Sequence, residues 1–328
     1  MVSAVVCREL AGPDALTLQD VAAHPVGQGE IRVAVHAAGL NFPDTLQVAG
    51  KYQFIPPLPF SPGMEAAGVI SELGQGVTGR HVGERVMLSA THGCYSEEVV
   101  APASEVLPMP QGFSFAQGAS FMIAVSTATN ALLQRGQLKP GEVLLVHGAA
   151  GGVGLAAVEV GKLLGATVIA TASSAEKLAI CKSAGADHLI DYTREDFKDR
   201  VLALTAGAGA DVILDTVGGE VFEESMRCIA WYGRILVVGF ASGTIPQVKT
   251  NRPLLKCFSI IGVRARETLK HKPQEVAIYR AWMLDQANKG HLKPHISNLF
   301  PLARFREAMA LLESRKAIGR VVLQVRPD

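Results

Sequence analysis

Anion binding is the chemistry written most plainly in this sequence. The apolar run Val143-Leu-Leu-Val-His147 ends in Gly148-Ala-Ala-Gly-Gly-Val-Gly154, and Val153, Ala157, Val160 and Leu164 then recur at helical spacing. Glycine lets a backbone approach a pyrophosphate closely, while the unpaired N–H groups and positive end of a helix stabilise its charge. A second apolar run, Ala166 to Thr171, follows within about 30 residues, as a βαβ unit requires. Gly148, Ala149, Gly151, Gly152, Val153 and Gly154 are therefore candidate contacts to a dinucleotide, although any tight strand-to-helix turn also favours glycine.

Which dinucleotide is read from the end of the second strand, where an NAD site places Asp or Glu about 20 residues along to accept the ribose hydroxyls. Between Glu159 and Glu176 there is no carboxylate, and the strand runs into Ala170-Thr-Ala-Ser-Ser174 and then Lys177. Small hydroxyls and one cation suit a 2′-phosphate. Ser173, Ser174 and Lys177 are thus candidate ligands, and NADPH is favoured over NADH. Ser173 and Glu176 also have the spacing of a capping box for a helix from Ala175 to Ala184, and capping and phosphate contact can coexist.

Other catalytic classes find little support. No tyrosine is followed by the x-x-x-Lys of a short-chain dehydrogenase relay, no Gly-x-Ser-x-Gly elbow occurs, and neither glycine-lysine pair precedes Ser or Thr as in a P-loop. Acidic neighbours such as Glu97-Glu98, Glu195-Asp196 and Glu223-Glu224 read as solvated surface. The five cysteines include no close pair, and His291 and His295, four apart, flank Pro294, which opposes a helical ligand pair. No metal site is expected. Hydride transfer remains, since there the cofactor carries the chemistry and the protein orients the reactants.

The elements that must position these residues fall into three parts. In the first third, short runs at Ser3 to Cys7, Ile31 to Ala37, Ala66 to Ser71 and Arg85 to Leu88 are separated by Gly and Pro, as small barrels require. One short helix is expected after Asn41, with Pro43 in its first turn and Gly50 as its stop. From Phe121 to Cys257 helix and strand alternate, with further strands at His188 to Ile190, Val212 to Leu214 and Arg234 to Val238. That alternation predicts a doubly wound parallel sheet. Beyond Phe258 a loop from Gly290, a helix (Phe305 to Ser314) and a final strand (Arg320 to Val325) are expected, and Thr244 to Val248 is read as a sheet-edge strand.

Composition sets the frame. With 328 residues the chain can form two domains, and 48% hydrophobic residues with 19% charge describe a compact folded protein. A net charge of +1 gives no long-range attraction to nucleic acid or to an anionic membrane. No apolar run approaches a membrane span or a secretory leader. A cytoplasmic location is expected.

The ordered motifs Gly39-Leu-Asn-Phe-Pro-Asp44, Pro62-Gly-Met-Glu-Ala-Ala-Gly68, Gly83-Glu-Arg-Val86, Gly93-Cys-Tyr-Ser-Glu97, Gly148 to Gly154, Asp215-Thr-Val-Gly-Gly219 and Arg315-Lys-Ala-Ile-Gly-Arg-Val-Val322 run from end to end of the chain. With them, the sequence resembles zinc-free quinone oxidoreductases of the medium-chain dehydrogenase/reductase superfamily, the group that includes the zeta-crystallins. The resemblance implies an α/β protein with a discontinuous GroES-like β-barrel catalytic domain (1–120 and 258–328), an inserted Rossmann domain (121–257) and a cleft between them. It also marks departures: Asn41 stands where zinc-dependent alcohol dehydrogenases carry a cysteine ligand, and Met64 where they carry a histidine. An amide and a thioether are poor substitutes for a thiolate and an imidazole.

The same resemblance implies an NADPH-dependent reductase of quinones or related conjugated carbonyls. The alternatives are an enoyl thioester reductase and a non-catalytic, crystallin-like NADPH-binding protein. Tyr52 sits where related enoyl reductases carry a proposed proton donor; it could equally orient a quinone oxygen or simply pack at the cleft mouth. Asn41 is expected to bond cofactor or substrate, or to cap a helix. Thr127 is expected beside the nicotinamide, or bonded to its own helix. Tyr192 is placed near the 2′-phosphate or adenine, and Gly239 and Phe240 join the cofactor contacts. Glu65 and Asp44 read as structural. Relatives pair sheet edges across a two-fold axis, so a homodimer is expected.

Overall fold

The computed structural model describes residues 1–327. In chain order the first part contains β1 (Val2–Val6), β2 (Thr17–Val21), β3 (Glu30–Gly39), α1 (Phe42–Val48), β4 (Glu65–Leu73), β5 (Arg85–Ser89), β6 (Glu98–Pro102), β7 (Val106–Pro108) and α2 (Phe115–Gly118). The middle part contains α3 (Met122–Thr129), which runs into a π-helical turn at Asn130–Arg135, then β8 (Val143–Val146), α4 (Gly152–Leu163), β9 (Thr167–Ala172), α5 (Ala175–Ser183), β10 (His188–Asp191), α6 (Phe197–Leu204), β11 (Ala210–Asp215), α7 (Gly219–Cys228), β12 (Ile229–Val237), α8 (Asn251–Lys256), β13 (Ser259–Gly262), α9 (Ala265–His271) and α10 (Pro273–Asn288). The last part contains β14 (Ile296–Pro301), α11 (Phe305–Glu313) and β15 (Arg320–Gln324).

Two compact units result: Met1–Ile123 with the chain from Pro294 on, and Ala124–Lys293. In the first, β3 is the organising strand. Ile31, Val33, Val35 and Ala37 alternate with less buried neighbours, the period-2 pattern of a strand with one face in the core. β4 lies antiparallel along one edge of β3, and the other edge is shared between β6, at Glu30–Ala34, and β15, at Ala37–Gly39. The chain's C-terminal strand therefore completes a sheet begun near its N-terminus. α11 closes the same core with Phe305, Ala308 and Met309.

The second unit is a six-stranded, all-parallel sheet in the order β10-β9-β8-β11-β12-β13. Its central strands are apolar nearly throughout, as burial on both faces demands. The chain order reverses direction between β8 and β11, and in such sheets ligands bind beyond the carboxyl ends of the strands at that point.

Two expectations about elements change. Thr244 to Val248 forms no strand: Thr244 N–H donates to Ser242 Oγ, Thr244 O accepts from Gly219 N–H, and Pro246 has no N–H to offer a ladder. The sheet's edge on that side is β13 instead. The expected domain border at 257/258 also differs from the observed one at 293/294. β13 pairs with β12 in the parallel sheet, and α10 joins the same unit through Met283, whose Sδ lies 3.6 Å from Ser126 Oγ on α3.

Candidate active site

In the second unit the glycine turn follows β8 directly. His147 N–H donates to Leu214 O on β11, and Thr216 Oγ1, just beyond β11, donates to His147 O, so both main-chain groups of the strand end are held from that side. Gly148 takes φ +61°, which other residues adopt at a cost. A Cβ on Gly154 would lie 2.2 Å from Gly148 O and 2.6 Å from Ala149 Cα, so the turn closes this tightly only with glycine there. α4 begins at Gly152, and the first N–H groups of a helix have no partner within it. This cradle fits a pyrophosphate.

At the end of β9 the expected cap shifts by one residue. Ser174, not Ser173, caps α5, accepting from Lys177 N–H at 3.3 Å. That leaves Ser173 Oγ to accept from Lys177 Nζ at 3.3 Å. β9 and the turn after it carry no carboxylate of their own before Glu176, and the neighbouring β10 ends at Asp191, in register with Ala172. Tyr192 follows β10, half exposed, with its N–H on Ala172 O. Gly239 and Phe240 follow β12, and Gly239 N–H bonds to Asp215 O. The glycine turn, Ser173, Ser174, Lys177, Tyr192, Gly239 and Phe240 thus all lie at the carboxyl ends of the parallel strands. Thr127 lies apart from these loops in sequence, part-buried on α3 one turn before the π-helical segment.

Asp215 and Thr216 escaped the sequence reading as site residues, although their motif was visible. Asp215 Oδ1 accepts from Val217 and Gly218 N–H, shaping the turn after β11, while Thr216 braces the turn after β8.

In the first unit, Asn41, Glu65 and Arg320 form one buried cluster. Arg320 lies in β15 and Glu65 in β4, on either side of β3, while Asn41 immediately precedes α1. Glu65 Oε1 receives the Arg320 guanidinium and Asn41 Nδ2, and Oε2 receives Ile123 N–H at 3.0 Å. Asn41 Oδ1 accepts from Arg320 at 3.0 Å. The carboxamide of Asn41 is therefore engaged within the protein, and Asn41 also stands at the N-cap of α1 in a capping box with Asp44, whose Oδ2 accepts from Asn41 N–H at 2.8 Å. Burial pushes the Glu65 carboxyl up, and the facing Arg320 opposes that. Met64 is buried beside Glu65. This donor set does not fit zinc: an engaged amide and a thioether stand at the two positions named above, and a guanidinium already faces the carboxylate. Among the described residues, no group of three His, Cys, Asp or Glu side chains is placed to hold a metal.

Tyr52 follows α1, which Gly50 ends with φ +70°. Its loop is tied down by Gln47, whose Nε2 donates to Phe54 O and to Thr91 O. Tyr52 itself is part-buried.

Residues 27–111 match the family described as Alcohol dehydrogenase GroES-like domain, and residues 152–281 match Zinc-binding dehydrogenase. The quinone oxidoreductase-like protein 2 homolog of Nematostella vectensis is 42% identical over 98% of this chain and 89% of its own. The chain belongs to the quinone oxidoreductase group of medium-chain dehydrogenase/reductases. This oxidoreductase is also 34% identical to a 2-haloacrylate reductase of a Burkholderia species, over 98% of this chain and 99% of that one. The crystal structure of Escherichia coli quinone oxidoreductase complexed with NADPH matches it with a TM-score of 0.91 and 30% identity, covering 98% and 100% of the two chains.

Asp44 of this oxidoreductase is fully buried, and burial pushes its carboxyl up to about 7 against the bonds from Tyr95 Oη and Asn41 N–H. Its Oδ1 has no partner. Because the unfolded value is about 3.9, the protonated folded form is favoured below that pH, and its advantage is lost as pH rises through about 7. Asp44→Asn should therefore gain on the parent by about 2–4 kcal/mol between pH 4 and 7.5 in denaturant unfolding. A pH-independent difference would show that Asp44 ionises normally.

Proposed function

We propose that this protein is an NADPH-dependent reductase of quinones or related conjugated carbonyl compounds that works without a metal. The observation that carries the reading is the pairing of two sites. One is a glycine cradle beside a strand end bearing Lys177 and Ser173 with no carboxylate; the other is a former ligand position filled by Asn41 bonded to Glu65 and Arg320. β9 itself ends without a carboxylate to accept from a ribose diol, whereas a 2′-phosphate would meet an ammonium and a hydroxyl. The NADPH held by the E. coli relative supports the same cofactor.

NADPH would supply hydride, and the protein would orient the acceptor and exclude water. Without a Lewis acid to polarise an isolated ketone, the better acceptor is one already electron-poor, such as a quinone or an α,β-unsaturated carbonyl. The quinone and 2-haloacrylate in the relatives' names are of this type. Gly148, Ala149, Gly151, Gly152, Val153 and Gly154 would hold the pyrophosphate. Ser173, Ser174, Lys177 and Tyr192 would hold the 2′-phosphate side, with Gly239 and Phe240 as further contacts. Tyr52 would donate a proton or orient the acceptor oxygen. Thr127 would face the nicotinamide, and Asn41 would offer the remaining lone pair of its Oδ1.

A homodimer would form along β13, whose outer edge carries Ile260, with exposed Leu254 and Leu255 on the preceding helix. An unpaired edge invites a second copy. Five free cysteines suit a reducing compartment such as the cytoplasm.

Rates on quinones, enones and enoyl thioesters with NADPH and with NADH test the reading directly. Lys177→Ala should weaken NADPH binding by about 1–3 kcal/mol and leave NADH nearly unchanged, as cofactor fluorescence would show; equal losses would remove the NADP assignment. Tyr52→Phe should slow an enone, which needs a proton on carbon, by about 10²–10⁴-fold, and a quinone much less. Extensive chelation should leave activity unaltered, and zinc-restored activity would overturn metal independence. Light scattering should find a dimer that Ile260→Lys dissociates; a parent that is a stable, active monomer would refute the assembly.

A further inference from the structure

His147 is the last residue before the glycine turn, and its side chain is buried. Its ring is a two-ended tie. Ser225 Oγ, on α7, donates to Val221 O at 2.7 Å, so toward His147 Nε2, 2.9 Å away, it presents a lone pair. The other ring nitrogen, Nδ1, lies 3.0 Å from Thr171 Oγ1 on β9, a hydroxyl that also reaches Val146 O at 3.4 Å. The ring of Phe197, from α6, meets the imidazole edge-on with centroids 4.7 Å apart. Burial pushes the His147 pKa down to about 3, so the neutral ring is the resident form.

The main chain around His147 is tied to the same places. Its N–H bonds to Leu214 O and its carbonyl accepts from Thr216 Oγ1, while Ala149 N–H reaches back to Thr171 O at 3.2 Å. Thr171 is two residues before Ser173. One buried side chain thus sits between the turn that would hold the pyrophosphate and the strand end that would hold the 2′-phosphate. A neutral, buried imidazole with both nitrogens satisfied has no capacity left for a ligand of its own. Its effect must pass through what it holds.

We propose that His147 is a positioning residue of the cofactor site, setting the spacing between the glycine turn and the Ser173–Lys177 segment and so the preference for NADPH. This rests on the NADPH reading above. Replacing the ring with an apolar side chain removes the bridge between the two hydroxyls, leaving Thr171 and Ser225 only their main-chain acceptors, and frees β9 to shift against the turn.

The test measures dissociation constants of NADPH and NADH by cofactor fluorescence, kcat at saturating NADPH, and melting temperature. It compares the parent with His147→Leu, His147→Asn and Thr171→Val. His147→Leu and Thr171→Val should raise the NADPH constant about ten- to hundredfold, with a smaller rise for NADH and kcat little changed. His147→Asn, whose amide can occupy the Nδ1 position, should recover most of the affinity. If His147→Leu fails to fold, Thr171→Val decides. Folded variants that bind NADPH within about twofold of the parent would overturn the proposal. So would equal losses for both cofactors, or an Asn variant that regains melting temperature without regaining affinity. A parent that binds NADH as tightly as NADPH would instead strike the cofactor reading itself.

Discussion

A carboxylate removed from water survives as an anion only where a cation and further donors meet it, and breaking such a set leaves a buried charge that costs several kcal/mol. Glu65 is in that position: it is fully buried, and the guanidinium of Arg320, the amide of Asn41 and the N–H of Ile123 converge on its two oxygens. Much of the first unit follows from satisfying it. Arg320 must come from β15, so the C-terminal strand has to return to β3. Gly39 must lack a side chain, because a Cβ there would lie 2.1 Å from Ala119 O and 2.9 Å from Glu65 Oε1. Asn41, turned toward the pair, is also the N-cap of α1, and Asp44 one turn on accepts from its main-chain N–H.

The second unit depends on close approach rather than on charge. Its turn works because two carbonyls and an α-carbon crowd the space where Gly154 would carry a side chain, and because the neighbouring strand end is braced by the Thr216 hydroxyl and the Asp215 carboxyl. A positive charge stands at the rim, in Lys177. A site of this kind would bind through geometry in its centre and select through electrostatics at its edge.

What the sequence made legible was local. The glycine turn, the missing carboxylate after β9 and the stop at Gly50 depend on neighbours within a turn or a strand. The ion pair of Arg320 with Glu65 spans 255 positions, and no periodicity reports it; a buried-looking glutamate in an apolar motif was the only hint. Thr244 to Val248 carries apolar residues suited to a strand, but pairing depends on where the main-chain groups go, and there Thr244 N–H turns back on Ser242 Oγ while Thr244 O accepts from Gly219 N–H. The border after Cys257 was misjudged for the same reason, since membership of β13 in the parallel sheet is decided by its partner β12 and not by its own residues. Ser173 and Ser174 differ only in which one starts the helix, a one-residue distinction below the resolution of pattern.

The sharing of one edge of β3 between β6 and β15 has a temporal side. On a ribosome, β3 to β7 emerge early and can pair at once, but the edge at Ala37–Gly39 has no partner until β15 is made, after the whole of the parallel-sheet unit. In that interval Glu65 has no guanidinium and the apolar faces of Ala38 and Leu40 await their cover. The parallel-sheet unit, being continuous in the chain, is free to fold first. The nascent protein thus carries a nearly complete nucleotide-binding half beside an open sheet, and its last strand is the one that closes the sheet.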